Sequence, residues 1–437
     1  MSVHRACLAG GWPSPGKITL FSVFSVLGLW AGPLLPSVSS PLEAQETDRI
    51  WGRVETAAGR IYQGYIRWDR NEGSWADVLD GSKEPSREAR ELWRELADPD
   101  TRDRVIEFLG VRISWDDRDF PGSHESGIRF GHIRRLVVLD DDAVELELKS
   151  GDWMELEGGS TDLGDEMREL LIDDPQEGVV ELRWRDLDEI EFGPAPAQPA
   201  SDGRRLYGTV EDVYGDRYTG YISWDLDEIF ATDILDGEDD GRDREIPFGD
   251  IAAIEKEWGR SRVIFHDGQE MVLEGSNDVD DGHRGVQISD PGLGQVEVEW
   301  DEFQAIRFHA PELEAGYHDF DGGHRLQGTV VTRDGEEFTG WIRWDADEEY
   351  SWEFLNGEDR DVVYDVEFGR IRTIERDSSR SALVTLLDGR VLEMEGSNDV
   401  NQENKGIFIQ VDEDARARDG GWVLVTWDDF REIRFIH

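Results

Sequence analysis

The sequence predicts an all-β protein built from three tandem repeats, each divided into two halves. Two observations support this: the same blocks return at matching positions, and apolar residues alternate with polar ones. The front block ends in a Trp-Asp pair in every copy, at Trp68, Trp224 and Trp344. The back block closes on a Trp-x-x-Leu/Phe-x-x-Ile-x-Phe pattern that begins at Trp184, Trp300 and Trp427.

The strands are predicted from a period of two. Val296, Val298 and Trp300 alternate with Glu297 and Glu299, as they would in a strand with one buried face. Short Gly-containing turns separate such runs and fit β-hairpins. Three of them are Asp267-Gly268, Asp334-Gly335 and Asp388-Gly389.

The repeats are expected to span residues 45–195, 196–311 and 312–437. The first repeat carries an insertion, which we place at residues 84–121 and predict to be a helical hairpin. Ser86 can cap its first helix, and Asp98-Pro99 predicts the start of the second helix.

The N-terminus is typical of an export signal. A positive segment with Arg5 and Lys17 precedes the apolar run 18–35, and small residues follow. We therefore predict a signal peptide over residues 1–44, with an uncleaved anchor as the alternative. The mature chain would be periplasmic, cell-surface or extracellular, and no other segment approaches the roughly 20 apolar residues of a membrane span. The single cysteine, Cys7, lies in the signal, so the mature chain would have no disulfide.

The net charge of the chain limits the classes of partner that it can bind. The formal net charge is −53, which disfavours nucleic-acid binding and favours cations or basic partners. The chain also contains 17 Trp, 18 Phe and 9 Tyr, an aromatic content that indicates a packed core instead of an acidic disordered chain.

Each half resembles an SH3-like or Sm-like small β-barrel. The resemblance rests on five short strands within about 55 residues and on a closing strand–turn–strand such as residues 298–308. It implies a fold of two five-stranded barrels per repeat and carries no function with it. A six-bladed β-propeller is the alternative, because a blade also has about 50 residues.

The most distinctive recurring polar motif is a Gly-Ser-Asn-Asp-Val segment in the second and third repeats. As a structural loop, its Ser, Asn and Asp side chains would close turns on their own backbone. As a calcium site, it would supply the oxygen ligands that this ion prefers. The candidate ligands are Asn277, Asp278, Asp280, Asn398 and Asp399. Calcium is the one cofactor that the sequence suggests.

Two further features recur in the repeats. The acids after each repeated Trp, such as Asp225, Asp227 and Glu228, are expected to form a solvated loop. The aromatic residues on the opposite strand face are expected either to stack on a ligand or to pack between halves. These are Tyr65, Tyr221 and Trp341.

The leading hypothesis for function is a non-enzymatic binding or scaffold protein with an unidentified protein or glycan partner. The three copies share no catalytic set, and His318 and His324 in the second linker do not match a recognised zinc spacing. The alternatives are a calcium-dependent module and a carbohydrate-binding protein, with a hydrolase last. No catalytic residue is assigned.

Overall fold

The computed structural model confirms the all-β prediction. It describes residues 47–84, 124–158, 161–196, 203–345, 347–411 and 421–437. The expected signal peptide lies outside these ranges, and so does the expected helical insertion apart from residue 84. Within them the chain forms thirty β-strands, and its helical segments are 3-10 turns of three residues.

The first ten strands belong to the first repeat. They are β1 (Trp51–Thr56), β2 (Ile61–Arg67), β3 (Val78–Lys83), β4 (His124–Arg129), β5 (Ile133–Val138), β6 (Ala143–Leu148), β7 (Trp153–Glu157), β8 (Leu170–Asp174), β9 (Gly178–Leu182) and β10 (Leu187–Phe192). They form one antiparallel sheet in the order β4-β3-β7-β6-β5-β10-β1-β2-β8-β9.

The next ten strands follow the same scheme. They are β11 (Tyr207–Asp212), β12 (Arg217–Trp224), β13 (Ile234–Asp239), β14 (Arg242–Pro247), β15 (Ile251–Glu257), β16 (Arg260–Phe265), β17 (Glu270–Leu273), β18 (Val286–Asp290), β19 (Gly294–Val298) and β20 (Phe303–Phe308). Their pairings repeat those of the first set, with β13 and β14 as a separate hairpin.

The last ten strands repeat the pairings once more. They are β21 (Gln327–Thr332), β22 (Glu337–Arg343), β23 (Phe354–Asp359), β24 (Val362–Glu367), β25 (Ile371–Arg376), β26 (Ser381–Leu386), β27 (Val391–Glu395), β28 (Ile407–Val411), β29 (Trp422–Val425) and β30 (Phe430–Phe435). Strand β24 also pairs with β19, which joins the second and third sets in an 18-stranded sheet.

The strand pairing divides each repeat differently from the two consecutive halves expected from the sequence. Strands β1 and β2 pair with β8 and β10 from the end of the repeat, while β3 to β7 form the other group between them. Gly64 on β2 explains how β8 comes so close, because a Cβ atom there would lie 2.0 Å from the carbonyl oxygen of Asp173. Gly220 and Gly340 meet the same constraint in the other repeats, at 2.5 and 2.1 Å.

Two apolar cores follow from this arrangement. One extends through the second and third repeats and includes Trp224 and Trp344. The other lies in the first repeat and is completed by Tyr317 and Phe320 from the linker between the second and third repeats. The three repeats therefore bury apolar surface against one another and behave as one body.

A repeated carboxylate ties the repeats together. Asp77 accepts hydrogen bonds from the N–H groups of Gly73 and Ser74, both at 2.8 Å, and binds Arg205 of the next repeat at 2.9 Å. The carboxylates at the equivalent positions also cap their own loops. Each of these binds a cation of the first repeat, in the pairs Asp233–Arg67 and Glu353–Lys83.

We predict that Arg205→Met destabilises the protein by about 3–5 kcal/mol, because it leaves the buried Asp77 carboxylate without its partner. The side chains of this pair are 0% and 4% exposed. Urea unfolding would measure the change. Arg217→Met is the matched control, since Arg217 pairs with Glu211 at the surface and its loss should change stability by less than about 1 kcal/mol. Equal losses for the two variants would contradict the prediction.

Candidate functional site

The repeated Trp of each front block connects two loops that are distant in the sequence. Its side chain is fully buried, and its indole N–H donates a 3.0 Å hydrogen bond to the backbone carbonyl of an aspartate in the back half. The pairs are Trp68–Asp162, Trp224–Asp278 and Trp344–Asp399. The Trp-Asp turn and the Ser-Asn-Asp loop are therefore two parts of one site.

The aspartate that follows each Trp is also buried. Asp225 is 0% exposed and has a positive φ of 47°, and its carboxylate accepts the backbone N–H of Arg284 at 2.6 Å. The Arg284 guanidinium contacts the same carboxylate at 3.1 Å. Asp69 and Asp345 have the same conformation and accept the N–H of Arg168 and of Lys405.

The loop aspartate supplies the second carboxylate. Asp278 is 5% exposed and accepts the N–H of Asp236 at 2.8 Å. Burial is the main cause that raises the pKa of Asp278 to about 6. The equivalent bonds, also 2.8 Å long, join Asp162 to Asp80 and Asp399 to Asn356. This carboxylate therefore fixes the loop against the third strand of the repeat.

A glutamate four residues after the Trp supplies the third carboxylate. Its backbone closes the Trp-Asp turn, while its side-chain Oε2 atom is buried without a hydrogen-bond partner. The three residues are Glu72, Glu228 and Glu348. Burial, followed by the charge of Asp227, raises the pKa of Glu228 from its ordinary 4.5 to about 9. Burial also raises the pKa of Glu72 and of Glu348 well above the ordinary value.

The three carboxylates meet most closely in the second repeat. One oxygen from each of Asp225, Glu228 and Asp278 lies within 4.8 Å of the others. In the part of the chain that the structure describes, this is the one group of three or more His, Cys, Asp or Glu side chains that could hold a metal ion. We call it the carboxylate cluster; the equivalent residues of the first and third repeats do not come this close together.

The structure brings only some of the sequence-predicted ligands into this cluster. Asp278 belongs to it, and Asp399 occupies the equivalent position in the third repeat. The carboxylate of Asp280 instead accepts the N–H of Gly282 at 2.9 Å, as in an ordinary turn. The amide nitrogen of Asn277 donates to Asp225 at 2.5 Å, and Asn398 donates to Asp345, so these side chains present a donor to the cluster and to its equivalent in the third repeat.

Sequence reasoning missed Asp225 and Glu228 as cluster members, because it treated the acids after the Trp as solvated. The joint recurrence of the Trp-Asp turn and the Ser-Asn-Asp loop was the available signal. His318 and His324 are not part of the metal-ligand group.

The three candidate ligand-binding aromatic residues do not form one surface. Tyr221 is 1% exposed, and its hydroxyl accepts the N–H of Ala315 at 3.0 Å, so a ligand cannot stack on this ring. Tyr65 and Trp341 are covered in part by arginine side chains, with Arg49 4.9 Å and Arg325 5.6 Å from the ring centroids. Trp341 remains 36% exposed, so stacking of a ligand on this ring stays a prediction.

An acidic cleft of about 380 Å³ lies where the three repeats meet. Six carboxylates and one lysine line it: Asp80, Glu297, Asp347, Glu348, Glu353, Asp365 and Lys83. Lys83 is paired with Glu353. Burial, and after it the charge of Asp365, raises the pKa of Glu297, which indicates an excess of negative charge in the cleft.

Comparison of the chain with models of known protein families, with curated proteins and with solved structures finds no match in any of the three. Among the described residues, no helix has the length and apolar character needed to cross a membrane.

We predict that, in EDTA, the stability of the protein falls as the pH rises from about 5 to about 9. The folded-state pKa of Glu228 lies above its unfolded value, so this group's contribution is fully present below about 4.5 and is lost as the pH rises through about 9. Glu228→Gln should be about 1 kcal/mol more stable than the wild type at pH 8, since the partly exposed side chain is screened. Melting curves across this pH range would measure both effects. Parallel pH profiles for the two proteins would contradict the assignment to Glu228.

Proposed function

We propose that this chain is an exported, non-enzymatic binding scaffold whose acidic cleft receives a basic segment of a partner protein. The observation that carries the proposal is the cleft itself, which gathers carboxylates from all three repeats. Export is proposed from the apolar run 18–35 and its positive flank.

The scaffold part of the proposal is supported by the contacts between repeats. The Arg205–Asp77 pair joins the first and second repeats, strand β19 pairs with β24, and Lys83 reaches Glu353 from the first repeat to the third. These contacts fix the walls of the cleft before a partner arrives. A preformed site lowers the entropic cost of binding.

The charge of the cleft selects the partner. Glu297 and Asp365 face it from the paired strands β19 and β24, while Asp80 faces it from the first repeat. Arginine and lysine side chains form charge-assisted hydrogen bonds with such carboxylates. A volume of about 380 Å³ suits a few side chains of a peptide segment instead of a folded domain.

The non-enzymatic part is supported by what the repeats have in common. Their shared polar groups are carboxylates that accept backbone N–H groups, together with buried indoles. Such bonds hold loops in place. A catalytic function by covalent chemistry would instead need a nucleophile and a base within hydrogen-bond distance of each other.

We predict that a fluorescent peptide of alternating Arg and Ser binds the protein, and that the double variant Glu297→Gln/Asp365→Asn weakens binding at least about tenfold. Fluorescence anisotropy at physiological ionic strength would measure the affinity. An alternating Glu and Ser peptide of the same length should not bind.

The matched control is Glu181→Gln/Glu245→Gln. These residues occupy the equivalent strand positions in other repeats, are exposed, and do not line the cleft. Their removal changes the net charge by the same amount and should leave the affinity within about twofold. Equal weakening in the two double variants would mean that the net charge alone attracts the peptide, and the cleft would lose its assigned role.

A further inference from the structure

We propose that the carboxylate cluster of the second repeat is a binding site for a divalent cation with oxygen ligands, such as Ca²⁺. This site is separate from the acidic cleft that would bind a basic partner, because none of its three carboxylates lines that cleft. It uses the side chains that the Trp-Asp turn and the Ser-Asn-Asp loop bring together.

The geometry of the second repeat fits such an ion. Calcium binds oxygens at 2.3–2.6 Å, so two oxygens on one ion are at most about 5 Å apart. One oxygen each from Asp225, Glu228 and Asp278 satisfies this limit, because all three lie within 4.8 Å of one another. Water would complete the coordination shell on the partly exposed side of Glu228.

A second observation points to a ligand in the cluster. The Oε2 atom of Glu228 is buried and has no hydrogen-bond partner. A buried carboxylate oxygen without a donor is costly. A cation bound between Asp225, Glu228 and Asp278 would satisfy this atom.

The charges of the cluster also match one divalent ion. Asp225 contacts the guanidinium of Arg284 at 3.1 Å, and the neighbouring Asp227 contacts Arg284 at 2.7 Å and Arg168 at 3.1 Å. Glu228 and Asp278 then remain as two negative charges that a divalent ion would neutralise.

The ligand set selects a hard cation. The three members offer carboxylate oxygens, which suit Ca²⁺ and Mg²⁺, whereas zinc and copper prefer nitrogen or sulfur. His283 lies 3.9 Å from Asp225, but its Nδ1 atom accepts the N–H of Gly285 at 3.0 Å and its ring stacks on Trp300. This histidine therefore packs beside the cluster without serving as a ligand.

Equilibrium dialysis of the purified protein against millimolar Ca²⁺, with the bound metal measured by mass spectrometry, tests the proposal. We expect one ion per chain. Glu228→Gln should remove it, whereas Glu72→Gln, at the equivalent position of the first repeat, should retain it. Because the glutamine variants relieve charge repulsion, they should melt no lower than the wild type in EDTA, and this melt shows that each variant is folded.

The matched control is Asp280→Asn in the same loop as Asp278. It loses one charge but keeps the oxygen that accepts the N–H of Gly282, so it should retain all bound calcium. Loss of an ion in Asp280→Asn, or no loss in Glu228→Gln, would overturn the assignment of ligands.

A second measurement uses the buried indoles as donors of excitation energy. Tb³⁺ replaces Ca²⁺ in oxygen sites, and Trp224 hydrogen-bonds directly to Asp278. Excitation of tryptophan should therefore give terbium emission that excess Ca²⁺ removes and that is lost in Glu228→Gln. The proposal is overturned if calcium raises the melting temperature no more than NaCl of the same ionic strength. The cleft variants Glu297→Gln/Asp365→Asn should bind calcium normally, so the two proposals can fail separately.

Discussion

The hydrogen bond from a buried indole to a distant backbone carbonyl is the interaction on which each repeat depends. Trp224 ends strand β12, and Asp278 lies in the loop between β17 and β18. The bond between them holds this loop at the end of β12. The Asp278 carboxylate in turn accepts the N–H of Asp236, which holds the loop against β13. One tryptophan thus connects three segments of the chain. The bond has the same length of 3.0 Å in all three repeats.

This arrangement concentrates negative charge where the loops meet. Backbone N–H groups and one basic residue stabilise the carboxylates of Asp225 and Asp278. The Oε2 atom of Glu228, in contrast, has no hydrogen-bond donor. Without a cation, the glutamate is kept neutral by its raised pKa, since two charges cannot be accommodated so close together in a buried site. With a divalent cation bound as proposed, the same residue would be a ligand. The proposed site would therefore couple the stability of the loops to both proton and metal binding.

The sequence predicted the strands and the recurrence of their ends well. Val296, Val298 and Trp300 alternate with polar residues because one face of β19 is buried and Trp300, two residues after the end of this strand, is buried on the same side of the alternation; this information is local. The cluster could not be derived in this way. The approach of Asp278 to Asp225 depends on the pairing of β12 with β18, and this pairing joins residues more than 60 positions apart.

Tyr221 shows a second limit of local patterns. The alternation of residues in β12 predicts that the Tyr221 ring lies on the face opposite Ile222 and Trp224. A ring on that face can be exposed to solvent or buried by another segment of the chain. The structure buries it under the linker at Ala315, a contact that no period within the strand can reveal. The division of each repeat into interleaved strand groups has the same cause, since it is set by long-range pairing.

The high negative charge has a further physical consequence for the sheet edges. The second and third repeats are joined by pairing of β19 with β24, whereas among the described residues the equivalent strands β9 and β14 each pair with one neighbouring strand. Strand β9 presents Val179, which is 66% exposed, and an unpaired strand edge favours pairing between molecules. Glu181 lies two positions away and Glu245 lies on β14. Because the net charge is −53, two copies of the chain repel each other, and this repulsion opposes pairing of these strands between chains.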